Sequence, residues 1–242
     1  MRLAIVSDIH GNLTALDAVI ADLRKTSPDL ILHGGDLAAG GARPTEVVEC
    51  VCSLGWKGVL GNTDEMLFRP ESLAEFAAGA PHLRRLFDVI EEMAAFTREA
   101  LGAERIGRLK TLPMTQATGQ IALVHASPTN TWIAPGAKAP DSELESSYQA
   151  LGNRIAVYGH IHHPYIRETG QRLVVNTGSV SLSCDGDPRA SYLLIDEDVP
   201  AIRRVEYDLA AEARALRASG IPHAEWVIQS LETASFVMPC EI

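Results

Sequence analysis

Seven side chains that can bind a metal ion lie in five short clusters along the chain, and each cluster follows an apolar run. They are Asp8, His10, Asp36, Asn62, His125, His160 and His162. Carboxylate and imidazole groups suit divalent ions such as Mn, Fe, Co, Ni and Zn, whereas soft metals prefer thiolates. Two such ions about 3.5–4 Å apart can clamp the oxygens of a displacement at phosphorus. The set is the right size and composition to hold two divalent ions around one shared carboxylate.

The spacing within two clusters also favours metal binding. Residues i and i+2 of an extended chain project to the same side. Asp8 and His10 are spaced in this way, and so are His160 and His162. Each pair can therefore reach inward together.

Each cluster taken alone has an ordinary interpretation. Asp8 could be a carboxylate at a helix N-terminus, and residues 35–36 and 61–62 could be tight turns after strands. His125 could be a packed histidine at a strand end. We prefer the metal site because all five clusters fall at matching positions, which five independent turns and caps would not require.

The first part of the chain predicts a parallel sheet. Residues 3–6, 30–32 and 58–61 are short apolar runs typical of buried strands, and residues 13–25 and 44–53 have helical spacing between them. Strands that are apolar throughout indicate a parallel sheet covered on both faces. Ligands of such sheets gather beyond the carboxyl ends of the strands, which is where the clusters fall.

The rest of the chain extends this plan. Residues 65–112 predict helices without strands, and we interpret them as an insertion within a single domain 1–242, which closes with a helical segment at 206–242. Turn residues 185–188 predict an antiparallel hairpin between two of the later strands. Those later strands are predicted at 121–125, 155–158, 172–175, 191–195 and 202–205.

Composition narrows the class of protein. The 21 basic and 31 acidic residues give 21 − 31 = −10, which disfavours stable binding to nucleic acid or anionic membranes. The four cysteines include no CxxC pair that would indicate a structural zinc site. No apolar stretch of the sequence approaches the roughly 20 residues of a membrane span, and we expect the apolar run at residues 3–6 to be too short for a signal peptide. We therefore expect a cytoplasmic protein, with its oligomeric state left open.

The ordered motifs resemble the calcineurin-like metallophosphoesterase superfamily, whose pattern runs D-x-H, GD, GN, H and GHxH. Residues 7–12, 176–180 and 186–192 look like its small bacterial and archaeal phosphodiesterase branch. The resemblance covers roughly residues 1–65 and 120–208. It implies an α/β fold: a four-layer αββα sandwich of two mixed β-sheets flanked by helices, with a helical insertion.

The resemblance also implies roles for the seven residues. Asp8, His10, Asp36 and His162 would hold one ion, and Asp36, Asn62, His125 and His160 would hold the other. Mn²⁺ is the expected ion, with Fe, Ni, Co or Zn as alternatives. A hydroxide bridging the two ions would attack phosphorus, with Asp36, Asn62 and His125 in the catalytic centre.

One residue departs from the family pattern. Many members carry a histidine after the asparagine, where it protonates the leaving oxygen, and this chain has Thr63. We therefore expect the substrate to be a phosphodiester such as a cyclic nucleotide or a related small molecule, with phosphomonoesters as the alternative. Asp64 is expected to orient a ligand histidine, and Asn12 to cap a helix or touch a phosphate.

Three other functions remain open at this point. The family includes protein Ser/Thr phosphatases and dinucleoside polyphosphate hydrolases, but those relatives typically carry the histidine that Thr63 replaces. A non-catalytic scaffold on the same fold is an alternative of a different class. All seven ligand positions are filled with residue types that can bind a metal, which disfavours the scaffold.

Overall fold

The structure, a computed structural model, describes residues 1–239. Its strands are β1 (Arg2–Val6), β2 (Leu30–His33), β3 (Lys57–Gly58), β4 (Thr115–Thr118), β5 (Ile121–Val124), β6 (Ile155–Tyr158), β7 (Tyr165–Glu168), β8 (Leu173–Asn176), β9 (Ala190–Asp196) and β10 (Val199–Val205). Its α-helices are α1 (Leu13–Thr26), α2 (Pro44–Ser53), α3 (Asn62–Phe68), α4 (Glu71–Ala78), α5 (Arg84–Leu109), α6 (Asp141–Tyr148), α7 (Leu209–Ser219) and α8 (Ala224–Thr233). The last three residues of the predicted C-terminal segment 206–242 lie outside the described residues.

The strands form two five-stranded mixed sheets. The first has the order β10-β9-β1-β2-β3, and the second has the order β4-β5-β6-β8-β7. In the first sheet β1 is parallel to β2 and β2 to β3, whereas β9 runs antiparallel to β1 and β10. In the second sheet β5, β6 and β8 are parallel, with β4 and β7 antiparallel at the edges. This confirms the predicted fold class.

The two sheets face each other across a shared apolar layer. Leu3 and Ile5 of the first sheet pack there with Leu123 and Val157 of the second. The alternate residues of β1 face the other way and pack with residues of α1 and α2, while α6 covers the outer face of the second sheet. Complete burial of one Leu or Ile contributes roughly 1.5–3 kcal/mol. This layer therefore fixes the sheets, and so their carboxyl edges, against each other.

The helices α3, α4 and α5 lie between β3 and β4, in the region predicted to be a helical insertion. We expected two helices at 83–94 and 99–110, and the structure has α5 running through both, with a break where Gly102 adopts φ 67°.

In the part of the chain that the structure describes, no helix combines the length and apolar character needed to cross a membrane.

The predicted hairpin at residues 185–188 is wrong. The strands on either side of that turn, β8 and β9, belong to different sheets. The antiparallel hairpin of this region joins β9 to β10 instead, through Glu197 and Asp198, which both adopt left-handed φ angles. Two consecutive residues with positive φ match the twist of a hairpin, which explains the position of the turn.

Other elements differ from the sequence prediction in length or were not predicted. The edge strands β4 and β7 and the short helices α3 and α6 carry no continuous apolar run. The third strand ends at Gly58 rather than residue 61, because the Leu60 N–H donates to the Pro113 carbonyl and leaves the sheet ladder. Val59 N–H still donates to the His33 carbonyl of β2 at 3.1 Å, so the chain leaves the sheet after Val59 and turns toward the candidate site.

Candidate metal centre

All seven predicted ligands lie beyond the carboxyl ends of parallel strands. Asp8 and His10 follow β1, Asp36 follows β2, and Asn62 opens α3 after β3. The other three follow strands of the second sheet: His125 follows β5, and His160 and His162 follow β6. Since the sheets are stacked, the two carboxyl edges meet and the side chains converge from both sides.

The backbone of this region is held in an uncommon conformation. Positive φ angles occur at five of the seven residues: Asp8 (58°), His10 (49°), Asp36 (54°), His160 (65°) and His162 (55°). Each non-glycine residue in such a conformation costs of order 1–3 kcal/mol, and such strain concentrates at functional sites. Backbone hydrogen bonds between the loops after β1 and β2 hold it in place, including Asp8 N–H to Gly35 O at 3.1 Å and His10 N–H to Asp36 O at 3.0 Å.

One group of ligand atoms gathers around Asp8, His10, Asp36 and His162, whose nearest ligand atoms all lie within 4.8 Å of one another. His162 Nε2 is 3.1 Å from Asp8 Oδ1 and 3.2 Å from His10 Nε2. The Asp36 carboxylate closes this group, with Oδ2 3.7 Å from His10 Nε2.

A second group of atoms lies on the other side of Asp36. Asn62 Oδ1 is 2.9 Å from His125 Nε2 and 3.0 Å from His160 Nδ1. Asp36 Oδ2 is 3.5 Å from His125 Nε2, so the same carboxylate oxygen faces both groups. Asp36 Oδ2 therefore lies near both groups of candidate ligand atoms.

The histidine tautomers test whether these residues fit metal ions. The Nδ1 atoms of His10, His125 and His162 each lie 2.8 Å from a backbone carbonyl oxygen. A carbonyl only accepts, so each Nδ1 carries a proton, and in the neutral ring each Nε2 presents a lone pair to the centre. His10 and His162 then face each other lone pair to lone pair at 3.2 Å. Such acceptors repel unless a proton or a metal cation lies between them, and the carboxylate and imidazole groups gathered here are donors that suit divalent ions.

The pKa values of the buried carboxyl and imidazole groups also favour positive charge within the cluster. Burial alone would raise the pKa of Asp8, but His162 beside it lowers the pKa below its usual range. Burial lowers the pKa of His10, and lowers that of His160 to about 4. Burial alone would lower the pKa of His125 and His162, but nearby carboxylates and hydrogen bonds together raise both, with Asp36 acting most on His125 and Asp8 most on His162. The Asp8 carboxylate thus stays ionised at neutral pH, and the carboxylates of the cluster draw positive charge onto the histidines that face them.

Asp64 supports the loop that carries Asp36. We expected it to orient a ligand histidine, but its buried carboxylate instead accepts from the backbone N–H groups of Asp36 at 2.8 Å and Leu37 at 3.0 Å. Burial, together with the nearby charge of Asp36, raises the pKa of the Asp64 carboxyl. Its role is therefore to fix the position of the candidate bridging residue.

Thr63 and Asn12 also take definite positions. The Thr63 N–H donates to Asp36 Oδ1 at 2.9 Å, while Thr63 Oγ1 is buried without a hydrogen-bond partner among residues 1–239. Asn12 caps α1 by accepting from Ala15 N–H at 2.9 Å, and its amide donates to Ser181 Oγ at 3.2 Å. The expected capping role of Asn12 is thus what these contacts show.

Two serines that contact Asp8 were missed by the sequence prediction. Ser7 Oγ donates to Asp8 Oδ2 at 2.5 Å, and Ser179 Oγ donates to the Asp8 carbonyl at 2.8 Å. Ser179 follows β8, at the same edge as the ligands. The signal that could have found it is the small polar run after that strand, because the carboxyl-end rule applies to β8 as it does to β6.

His33 lies at the end of β2, outside the group of candidate ligands. Its burial leads us to expect that acid destabilises the folded protein. Burial lowers its pKa from 6.5 to about 4. Because His33 binds a proton more tightly in the unfolded chain than in the folded protein, acid favours unfolding. The stability contributed by neutral, buried His33 is complete above about pH 6.5 and is lost as the pH falls toward about 4. We expect that loss to reach about 3 kcal/mol.

Urea unfolding of the wild type and a His33→Phe variant, each at neutral and acidic pH, measures this effect. The difference in unfolding free energy between the two proteins should shift in favour of the variant on acidification. An identical pH dependence in both proteins would show that His33 does not titrate in this window.

Comparisons with known proteins agree with this geometry. Residues 1–199 match the family model of the calcineurin-like phosphoesterase superfamily domain. The chain is 28% identical to the uncharacterised protein MJ0912 of Methanocaldococcus jannaschii, over 95% of this chain and 96% of that protein. It is 26% identical to the phosphodiesterase YfcE of Escherichia coli, over 84% of this chain and 91% of that protein.

Solved structures show the same fold. The metallophosphoesterase from Sphaerobacter thermophilus is 27% identical with a TM-score of 0.77, over 97% of this chain and all (100%) of that one. The hypothetical protein PH1004 from Pyrococcus horikoshii has a TM-score of 0.79 at 21% identity, over 98% and 99% of the two chains. The chain belongs to the calcineurin-like phosphoesterase superfamily. It is a hydrolase of phosphoester bonds, and the family implies divalent metal ions.

Proposed function

We propose that this protein is a dinuclear metal-dependent phosphodiesterase that acts on a small phosphodiester. The observation that carries the proposal is the seven-residue cluster of acceptor atoms, in which Asp36 Oδ2 faces both His10 and His125. A cluster of lone pairs with one shared carboxylate has little use in a scaffold, where it would only destabilise the fold. Its relative YfcE is named a phosphodiesterase, which supports the same activity.

Each residue has a role in this proposal. Asp8, His10 and His162 would hold one ion, Asn62, His125 and His160 the other, and Asp36 both. The ions would polarise the phosphoryl oxygens and generate hydroxide near neutral pH. The Asn62 amide group, next to the His125 ring, would donate to a phosphoryl oxygen as negative charge develops there. Mn²⁺ is the ion we expect, because the ligands are oxygen and imidazole nitrogen, though Fe, Co, Ni and Zn suit the same donors.

The direct test compares hydrolysis of bis(p-nitrophenyl) phosphate and p-nitrophenyl phosphate by metal-stripped protein before and after Mn²⁺ is added. We expect turnover only with metal, and faster turnover of the diester. No hydrolysis of either ester with Mn²⁺, Fe²⁺, Co²⁺, Ni²⁺ or Zn²⁺, despite stoichiometric metal binding, would reject the proposal in favour of a non-catalytic scaffold.

Thr63 predicts the preference for diesters. A threonine hydroxyl cannot act as a general acid at neutral pH, so poor leaving groups receive no proton from this position. General acid catalysis is typically worth 10²–10⁴-fold, and we expect Thr63→His to raise the monoester-to-diester rate ratio by about tenfold or more. Thr233→His, on the exposed surface of α8, is the matched control. An unchanged ratio in the Thr63 variant would defeat this explanation.

A further inference from the structure

A cavity of about 780 Å³ lies beside the candidate metal centre, between α3, α4 and the loop that follows β5. Its wall begins with Leu60 and continues with Glu65 of α3. Glu65 lies three residues after the candidate ligand Asn62 on the same helix, roughly 4.5 Å along its axis. The opposite wall is formed by Thr131, Trp132 and neighbouring residues, which lie in the loop following His125. The cavity therefore starts within about one helical turn of the candidate metal ligands.

Two aromatic rings give the cavity a flat apolar wall. The centroids of Phe76 and Trp132 are 5.2 Å apart, and their planes are inclined by 31°. Phe76 is 37% exposed and Ile133, which also lines the cavity, is 60% exposed, although both are large apolar side chains. Exposed aromatic and aliphatic groups of this kind are typical of a surface on which a planar ring stacks.

The loop that carries Trp132 is held firmly in place. Asn130 Oδ1 accepts from the N–H groups of Trp132 at 2.7 Å and Ile133 at 3.0 Å. Buried tyrosines fix both ends of the loop, with Tyr148 donating to Ala126 O at 2.9 Å and Tyr158 to Pro135 O at 3.0 Å. A pre-formed wall binds a ligand without the cost of ordering it.

The charges around the cavity disfavour a phosphate group as its occupant. Arg69 is bound on two sides, by Glu65 at 2.5 Å and by Glu75, and it lies 4.0 Å from Glu71. Three carboxylates around one guanidinium leave a net negative rim, which repels an anion and suits a neutral ring with N–H groups at its edge.

Two polar atoms of the lining residues have no partner within the protein. Ser72 Oγ and Trp132 Nε1 are buried, and neither has a hydrogen-bond partner within residues 1–239. Buried donors are rarely left unpaired in native proteins, and each such atom calls for an explanation. An acceptor at the edge of a ligand, such as a ring nitrogen or a carbonyl oxygen, would satisfy them.

We propose that this cavity binds the nucleobase of a nucleoside phosphodiester whose phosphate lies at the metal centre. A nucleobase combines a stacking face, acceptors for the Ser72 and Trp132 donors, and N–H groups for the acidic rim. The proposal rests on the proposed phosphodiesterase function and names the substrate class for it. Phe76 and Trp132 would set the specificity, while the ligands of the metal centre would perform the reaction.

Two esters with the same leaving group test the proposal: the p-nitrophenyl ester of thymidine 5′-phosphate and methyl p-nitrophenyl phosphate, each with Mn²⁺-loaded protein. They differ only in the alcohol that remains on phosphorus, so the ratio of their kcat/KM values isolates the nucleoside. We expect the nucleoside ester to be preferred by about tenfold or more, within the range that one stacked base contributes. In Phe76→Ala the preference should largely disappear, with the methyl ester little affected.

Two further variants test the role of the Trp132 N–H group and provide a control. Trp132→Phe keeps the ring but removes Nε1, and we expect it to lose part of the preference. Phe236→Ala, at a 60% exposed phenylalanine that does not line the cavity, should keep all of it. Equal rates for the two esters, or equal losses for both in Phe76→Ala, would overturn the nucleobase site while leaving the phosphodiesterase intact. Hydrolysis of neither ester would contradict the proposed function itself.

Discussion

Replacing Asp36 by asparagine should abolish metal-dependent hydrolysis while leaving the protein folded. Asp36 Oδ2 is 3.7 Å from His10 Nε2 and 3.5 Å from His125 Nε2, so one oxygen serves both groups of ligands. The exchange keeps the shape of the side chain but removes the negative charge that lies near both groups of candidate ligands. Metal ions contribute several kcal/mol of transition-state stabilisation, and every 1.36 kcal/mol is a tenfold change in rate. We therefore expect kcat/KM for a diester to fall by about 10³-fold or more.

The measurement pairs steady-state kinetics with the metal content of the purified variant. Metal bound per chain should fall, and added Mn²⁺ should not restore the rate. Asp141→Asn, at a 60% exposed carboxylate on α6, serves as the control and should behave like the wild type. An Asp36→Asn protein that retained full activity and metal content would show that this carboxylate is not a shared ligand.

Asp64→Asn should weaken metal binding without removing a ligand. The Asp64 carboxylate accepts from the N–H groups of Asp36 and Leu37, so it holds the loop on which Asp36 lies. An asparagine would place an NH₂ group against at least one of these donors. Changes to groups that support metal ligands typically cost 10–100-fold in metal affinity or activity, and we expect a loss of about that size.

The dependence of the rate on Mn²⁺ concentration distinguishes this role from that of Asp36. In Asp64→Asn the half-saturating concentration should rise, and high Mn²⁺ should restore much of the activity. Asp88→Asn on α5, where the carboxylate is 58% exposed, should leave the curve unchanged. Activity in Asp64→Asn that is lost and cannot be restored by metal would instead assign Asp64 a direct part in the reaction.

The convergence of the candidate ligands was predictable because it follows from a rule of parallel sheets rather than from details of packing. Asp8, Asp36 and His125 each follow an apolar run, and parallel strands bring their carboxyl ends to one edge. The contact between Asp64 and the Asp36 backbone could not be read from the sequence. It depends on the left-handed conformation of Asp36 and on the start of α3, neither of which has a periodic signal.

The strands of the fold likewise include some that the sequence predicts and others that it does not. Strands buried on both faces, such as β1 and β6, have continuous apolar sequences and were predicted closely. The edge strands β4 and β7 alternate between exposed and partly buried residues, and they were missed. The misplaced hairpin arose because turn chemistry at residues 185–188 indicates a reversal of the chain without indicating which sheet the next strand joins. The Phe76–Trp132 wall was equally hidden, because it is formed by two segments distant in sequence.

Titration of metal-stripped protein with Mn²⁺, with bound metal and hydrolysis of bis(p-nitrophenyl) phosphate followed together, shows directly whether the cluster around Asp36 works as a dinuclear centre. The cluster around Asp36 predicts that activity rises with bound metal and reaches its plateau at about two ions per chain, as a two-metal centre requires. Full activity with a single bound ion, or hydrolysis by the stripped protein that added metal does not change, would contradict the dinuclear centre.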